Sequence, residues 1–215
     1  MLRRFAFVFA ASSLVAYPAS ATPPSEITQE RTTLDEDSCA LVSGDYGAPS
    51  ASLHVISDCT GPGGWTAVLH EYANSTSLAF KAPDGTDSGT LPFGGFGPYG
   101  KPSQGLDWIL AGDEPIGVVV GYGEQAPPGS TDSVFSYYSV ALKPETDAIA
   151  CLISRIEFGK KRGVDAGAAD IIETYAADWD CDESHYFEVV PQAAEARSFE
   201  TLAAIAFTEA GNTGD

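Results

Sequence analysis

An amphipathic helix that closes on a cysteine needs a surface to lie on, and this chain carries one between Asp165 and Asp180. There Ala168, Ile171, Ile172, Tyr175 and Trp179 recur at intervals that place them on one stripe about 100° wide. The segment just upstream supplies the surface. Ile149–Phe158 is apolar at neighbouring as well as alternate positions, as expected of a strand covered on both faces. Cys151 lies in that strand and Cys181 ends the unit.

Before it, short β-like runs alternate with turns: Cys39–Val42, Ser52–Ser57, Trp65–Tyr72, Ser77–Lys81, Leu106–Leu110, Ile116–Tyr122 and Val134–Leu142. Ala111 to Pro115 is a short turn, so the runs on either side should pair antiparallel. Lys143 to Asp147 does the same for the next pair. This order predicts an α+β domain: an antiparallel β-sheet of about seven or eight strands with a helix at 165–180 packed on it. His185–Val190 reads as one more short strand. Gln192–Ala210 places Phe199, Leu202, Ala203 and Ala206 on one face before Gly211 and reads as a second, C-terminal helix.

Met1–Ala21 has the organisation of a secretory signal: basic Arg3 and Arg4, apolar Phe5–Ala16, then Ala19-Ser20-Ala21 as a small-x-small cleavage site. Its apolar run is too short to span a bilayer, and no later segment approaches the ~18 apolar residues that would. The expectation is export to the periplasm or the extracellular medium, without membrane insertion after cleavage. Taking 21 residues from 215 leaves 194, enough for one domain with a sizeable core. Residues 22–37, with Pro23-Pro24 and the acidic Leu34–Asp37, are expected to form a flexible lead-in. Residues 38–190 form the disulfide-stapled domain and 191–215 a helical tail.

Four cysteines in an oxidising compartment imply two disulfides. Three connectivities are open. Cys39–Cys59 with Cys151–Cys181 is favoured because each pair brackets one compact unit. No CxxC or HExxH spacing points to zinc.

The formal charge is −19, and loss of Arg3 and Arg4 with the leader takes it to −21. Nucleic acid and anionic lipid need clustered Lys and Arg to displace counterions, so this charge argues against both. A cationic protein partner fits, and the plainer reading is a surface charged for solubility.

The Gly- and Pro-rich stretch between Lys81 and Leu106 holds Phe93, Phe96 and Tyr99, the candidate binding residues of an exposed aromatic grip. The competing reading has the same rings pin the loop to the sheet. Gly123–Ser133 is a second long tip, and neither loop carries a phosphate-cradling pattern. His54, His70 and His185 are the groups suited to acid–base work near neutrality. With no GxSxG and no second histidine after His70-Glu71, a surface or structural role is the expectation for each. At the helix end, Asp178, Asp180, Asp182 and Glu183 stand where the dipole disfavours negative charge, while Lys160-Lys161-Arg162 precede the helix. The one-three-five spacing makes these four acids candidate Ca2+ ligands. An EF-hand is excluded, because Glu183 stands where glycine and Val189 where glutamate is required. No other cofactor is expected.

Cys39 and Cys59, Leu106-Asp107-Trp108 leading into a Gly-containing turn and Pro115, Ala150-Cys151 on a strand, and an Ala-rich helix ending at Asp180-Cys181 form a shared pattern. Over roughly Ser38 to Cys181 the chain resembles a family of small exported alphaproteobacterial proteins of unknown function with four cysteines. It departs from that family in its longer aromatic loop and in the tail after Cys181. The resemblance implies the fold and export, and carries over no catalytic residue. The functional expectation is a non-catalytic binding module of the cell envelope. One alternative is an inhibitor of a cationic cell-wall hydrolase such as lysozyme. Another is a hydrolase using a histidine and a carboxylate.

Overall fold

The computed structural model describes residues 26–35, 37–47, 49, 53–93, 100–124, 134–158, 164–181 and 186–189. They form ten strands and one helix in three layers. The first layer is an antiparallel sheet of β2 (Cys39–Ser43), β3 (His54–Thr60), β4 (Thr66–Tyr72) and β5 (Thr76–Lys81), in that order. The second has the order β1 (Ile27–Thr33), β6 (Gly100–Ala111), β7 (Glu114–Glu124), β8 (Val134–Leu142), β9 (Ala150–Phe158) and β10 (Phe187–Val189). The third is α1 (Val164–Tyr175).

The expected hairpins are present: β6 pairs antiparallel with β7, and β8 with β9. The single antiparallel sheet is replaced by two sheets, because the chain crosses from one layer to the other after β5. The larger sheet is mixed. β10 lies parallel to β9, which requires a crossover, and α1 lies between them in the chain.

Residues 22–37, read as a flexible lead-in, contain β1, which pairs with β6 from Ile27↔Ala111 to Thr33↔Gly105. Every residue of β1 but Thr32 is exposed, so no apolar alternation marks it. β6 also starts earlier than expected, at Gly100. A register shift between Pro102 and Leu106 accommodates the proline that a regular ladder would exclude.

Alternation along the central strands feeds two cores. Leu106, Trp108, Val118, Val120, Tyr138 and Val140 meet Leu78 and Phe80 between the sheets. On the opposite face Ile109, Val119, Ile153 and Ile156 meet Ala168, Ile171 and Ile172 of the helix. The six-stranded sheet is thus covered on both faces, which is why Ile149–Phe158 is apolar at neighbouring positions.

The helix ends at Tyr175, four residues before Trp179, although Trp179 continues the stripe. Its indole Nε1 donates to the Leu152 carbonyl at 3.1 Å, and Cys181 bonds to Cys151, so the segment after the helix is held to β9 by other means. The helix has no basic residue in its last turn. A cation arrives from elsewhere: Lys143, in the β8–β9 turn, donates to the Ala177 carbonyl at the negative pole.

Gly117 lies where helix and sheet come closest. A Cβ there would sit 2.4 Å from Ile172 Cγ2 and 2.6 Å from the Val140 carbonyl oxygen. Gly117→Ala should therefore displace α1 and lower stability by about 1–3 kcal/mol, read as a lower urea midpoint.

Candidate binding surface

The small sheet turns alternate residues inward. Val55, Ser57 and Cys59, Ala67 and Leu69, and Leu78 and Phe80 are buried. The outward set carries His54, Ile56 and Asp58 on β3, across from Tyr72, His70 and Val68 on β4. Towards β5 this face is closed by an ion pair, Lys81 Nζ to Asp58 Oδ2 at 2.9 Å. The other oxygen of Asp58 is buried without a partner, so this carboxylate has little to offer a ligand.

The opposite corner is open. Leu41 is 54 % exposed, Val42 57 %, Tyr46 46 % and Tyr72 42 %. These are four of the five large apolar side chains that the described residues leave exposed; Leu41, Val42 and Tyr46 follow the β2 edge, Leu41 and Tyr46 on the face of Ser57, while Tyr72 lies on the opposite face beside His54. Scattered exposed apolar residues need no explanation, whereas a gathered set marks an interaction surface. Tyr46 hydrogen-bonds to Glu71 Oε2 at 2.7 Å and to the Ser57 hydroxyl at 3.2 Å, which fixes its ring beside β3 and β4. His54 stacks on Tyr72 with ring centroids 4.7 Å apart and on His70 at 6.0 Å, giving three nearly parallel rings.

Charge around this corner has one sign. No Lys or Arg occurs on β2, β3 or β4, whereas Asp45 follows β2 and Glu71 lies on β4. Before β2, Asp35 has its pKa lowered, first by a hydrogen bond with the Ser38 side chain, and it also accepts from the Ser38 amide at 2.8 Å. Elsewhere, basic groups are engaged internally. Arg31 bonds to Asp107 at 3.0 Å, Arg155 to Glu188 at 3.2 Å, Lys81 to Asp58, and Lys143 to a backbone carbonyl. Among the five described basic side chains, Lys101 is the exception.

Of the three rings of the candidate aromatic grip, one is described. Phe93 is half-buried against the inter-sheet core, edge-on to Tyr138 at 5.3 Å and stacked on Tyr122 at 6.2 Å, so it pins its loop. Phe96 and Tyr99 lie outside the described residues, as do the signal sequence at 1–21, the tail at 191–215 and His185. Asp178 and Asp180 are exposed, and Asp182 and Glu183 also lie outside. Among the described residues no group of three or more His, Cys, Asp or Glu is placed to hold a metal. No described helix is long and apolar enough to cross a membrane.

Both disulfides follow the sequential pairing, Cys39–Cys59 and Cys151–Cys181. The imidazoles of His54 and His70 are engaged by ring stacking, His54 between Tyr72 and His70. A cleft of about 580 Å³ opens at the turn end of the sandwich beside Trp65, Pro83, Asp113, Pro115 and Pro144. Among the described residues that line it, Asp113 and Glu114 are the ionisable ones. The open corner of the small sheet, which sequence reading missed, is therefore the better candidate. Its signal was weak: Cys39-Ala-Leu-Val42 reads as any buried strand until its place at the sheet edge is known.

No protein-family model matches the chain, and no curated protein or solved structure matches it either.

Proposed function

We propose that this chain is an exported, acidic binding module that captures a cationic protein at the β2 corner of its small sheet. One observation carries the reading: Leu41, Val42 and Tyr46 stand exposed along the β2 edge beside Glu71 and Asp45, with no basic residue on β2, β3 or β4. Apolar contact supplies short-range attachment, and the uncompensated negative field speeds encounter with a positive partner. Export rests on the leader read at Met1–Ala21 and agrees with two disulfides. A cationic cell-wall hydrolase such as lysozyme is the specific partner the charge favours.

Titration against lysozyme across a salt series tests the proposal. Binding is expected in about 0.01 M salt and should weaken about tenfold or more by about 0.15 M, as the screening length falls from roughly 30 Å to roughly 8 Å. Absence of binding at the lowest salt removes the lysozyme version. Binding that is insensitive to salt removes the electrostatic basis itself.

A further inference from the structure

We propose that the partner docks by adding a strand to the free edge of β2, and that the strand is an extended segment in which basic and apolar residues alternate. This rests on the cationic-partner reading and specifies its geometry. The Cα atoms of Cys39 and Cys59 are 4.1 Å apart, the spacing of a non-hydrogen-bonded antiparallel pair. By the alternation of the ladder, Ala40 bonds to β3 and Leu41 turns its N–H and C=O outward. The outward amide of Cys39 is already taken, donating to the Asp35 carbonyl at 3.0 Å. The open part of the edge therefore begins at Leu41. A register shift between Leu41 and Ser43 leaves Val42 outside the ladder as well.

Of the other three edges, β10 is only three residues long, and the remaining two are guarded. Beyond β5 the chain's own segment closes the edge, Ser88 N–H donating to the Phe80 carbonyl at 2.8 Å and Leu91 N–H to that of Leu78 at 3.0 Å. β1 presents Thr28, Gln29, Glu30 and Arg31, polar side chains that discourage pairing. Among the described residues nothing covers β2, which carries neither Lys nor Pro, and Leu41 and Val42 are more than half exposed. Main-chain bonds to such an edge give affinity, and alternate side-chain contacts give selectivity. An added strand would set one row of side chains beside Leu41 and Tyr46, near Glu71 and Asp45, and the other beside Val42. Apolar contacts with a basic complement follow. A second copy of this chain is the wrong occupant, because it would bring two bodies of formal charge −19 together.

The test compares two capped ten-residue peptides of equal charge, one alternating lysine with valine and the other lysine with glycine, against the full disulfide-bonded protein in low salt. The lysine–valine peptide should bind about tenfold tighter and slow exchange of the Leu41 amide proton by about tenfold or more. Leu41→Lys and, separately, Val42→Pro should abolish that preference while leaving β7 and β8 amides protected as in the parent. Equal affinity for both peptides with Leu41 exchange unchanged overturns strand addition and leaves the cationic-partner reading standing. No binding of either peptide overturns both. A protected Leu41 amide in a peptide-free, concentration-dependent dimer overturns the choice of occupant.

Discussion

Replacing Cys151 and Cys181 together by alanine is expected to lower stability by about 3.6 kcal/mol, the chain-entropy value for a closed loop of this length. The bond joins residues 30 apart and is the covalent tie between β9 and the segment that follows α1. Its loss also releases Trp179, which donates to the Leu152 carbonyl and packs edge-on to Phe187 at 6.0 Å. At roughly 2–4 °C per kcal/mol for a domain of this size, the melting midpoint should fall by about 7–14 °C. Hydrogen exchange should show the loss concentrated in α1 and β10, with the small sheet unchanged. A drop below about 2 °C, or one spread evenly over both sheets, would mean that the helix is held by packing on Ile171 and Ile172 alone.

The second large effect is expected at Trp108. Its side chain is fully buried on β6, edge-on to Phe80 of β5 at 5.8 Å, and its Nε1 donates to Thr32 Oγ1 of β1 at 3.0 Å. Its ring fills the space over Gly61, where a Cβ would lie 2.3 Å from Cζ2. Both sheets and the turn before β4 therefore meet on one indole. Trp108→Ala should cost about 3–5 kcal/mol, measured by urea unfolding. Trp108→Phe keeps an apolar ring, and Thr32 can still reach the Thr60 carbonyl at 3.4 Å, so it should lose less. Equal losses for the two variants would place the effect in the hydrogen bond, not in the packing.

How far the fold could be read from the chain depended on which strands alternate. β8 was expected at Val134–Leu142 and lies there, and the turns from Ala111 and from Lys143 join antiparallel neighbours. The division into two sheets was not legible, because inward-facing residues of either sheet show the same period of two. β1 escaped notice for the opposite reason: exposed on both faces, it needs no apolar period. At the helix end, Trp179 kept the stripe running past Tyr175 because a residue can face the sheet without being helical. The candidate surface was the least legible part. Leu41 and Val42 look like core residues, and they are exposed because β2 is the edge of the small sheet among the described residues.

The Cys39–Cys59 bond lies across two adjacent strands, not between distant parts of the chain. A slip of one residue in β2 would exchange Leu41 and Val42 between the faces of the sheet, and an edge strand five residues long has few ladder bonds to resist it. The covalent link at its first residue removes that freedom. It works as the zero mark of a ruler: the positions of Leu41, Val42 and Tyr46 are counted from a fixed origin, and any chain laid alongside meets them in a single phase.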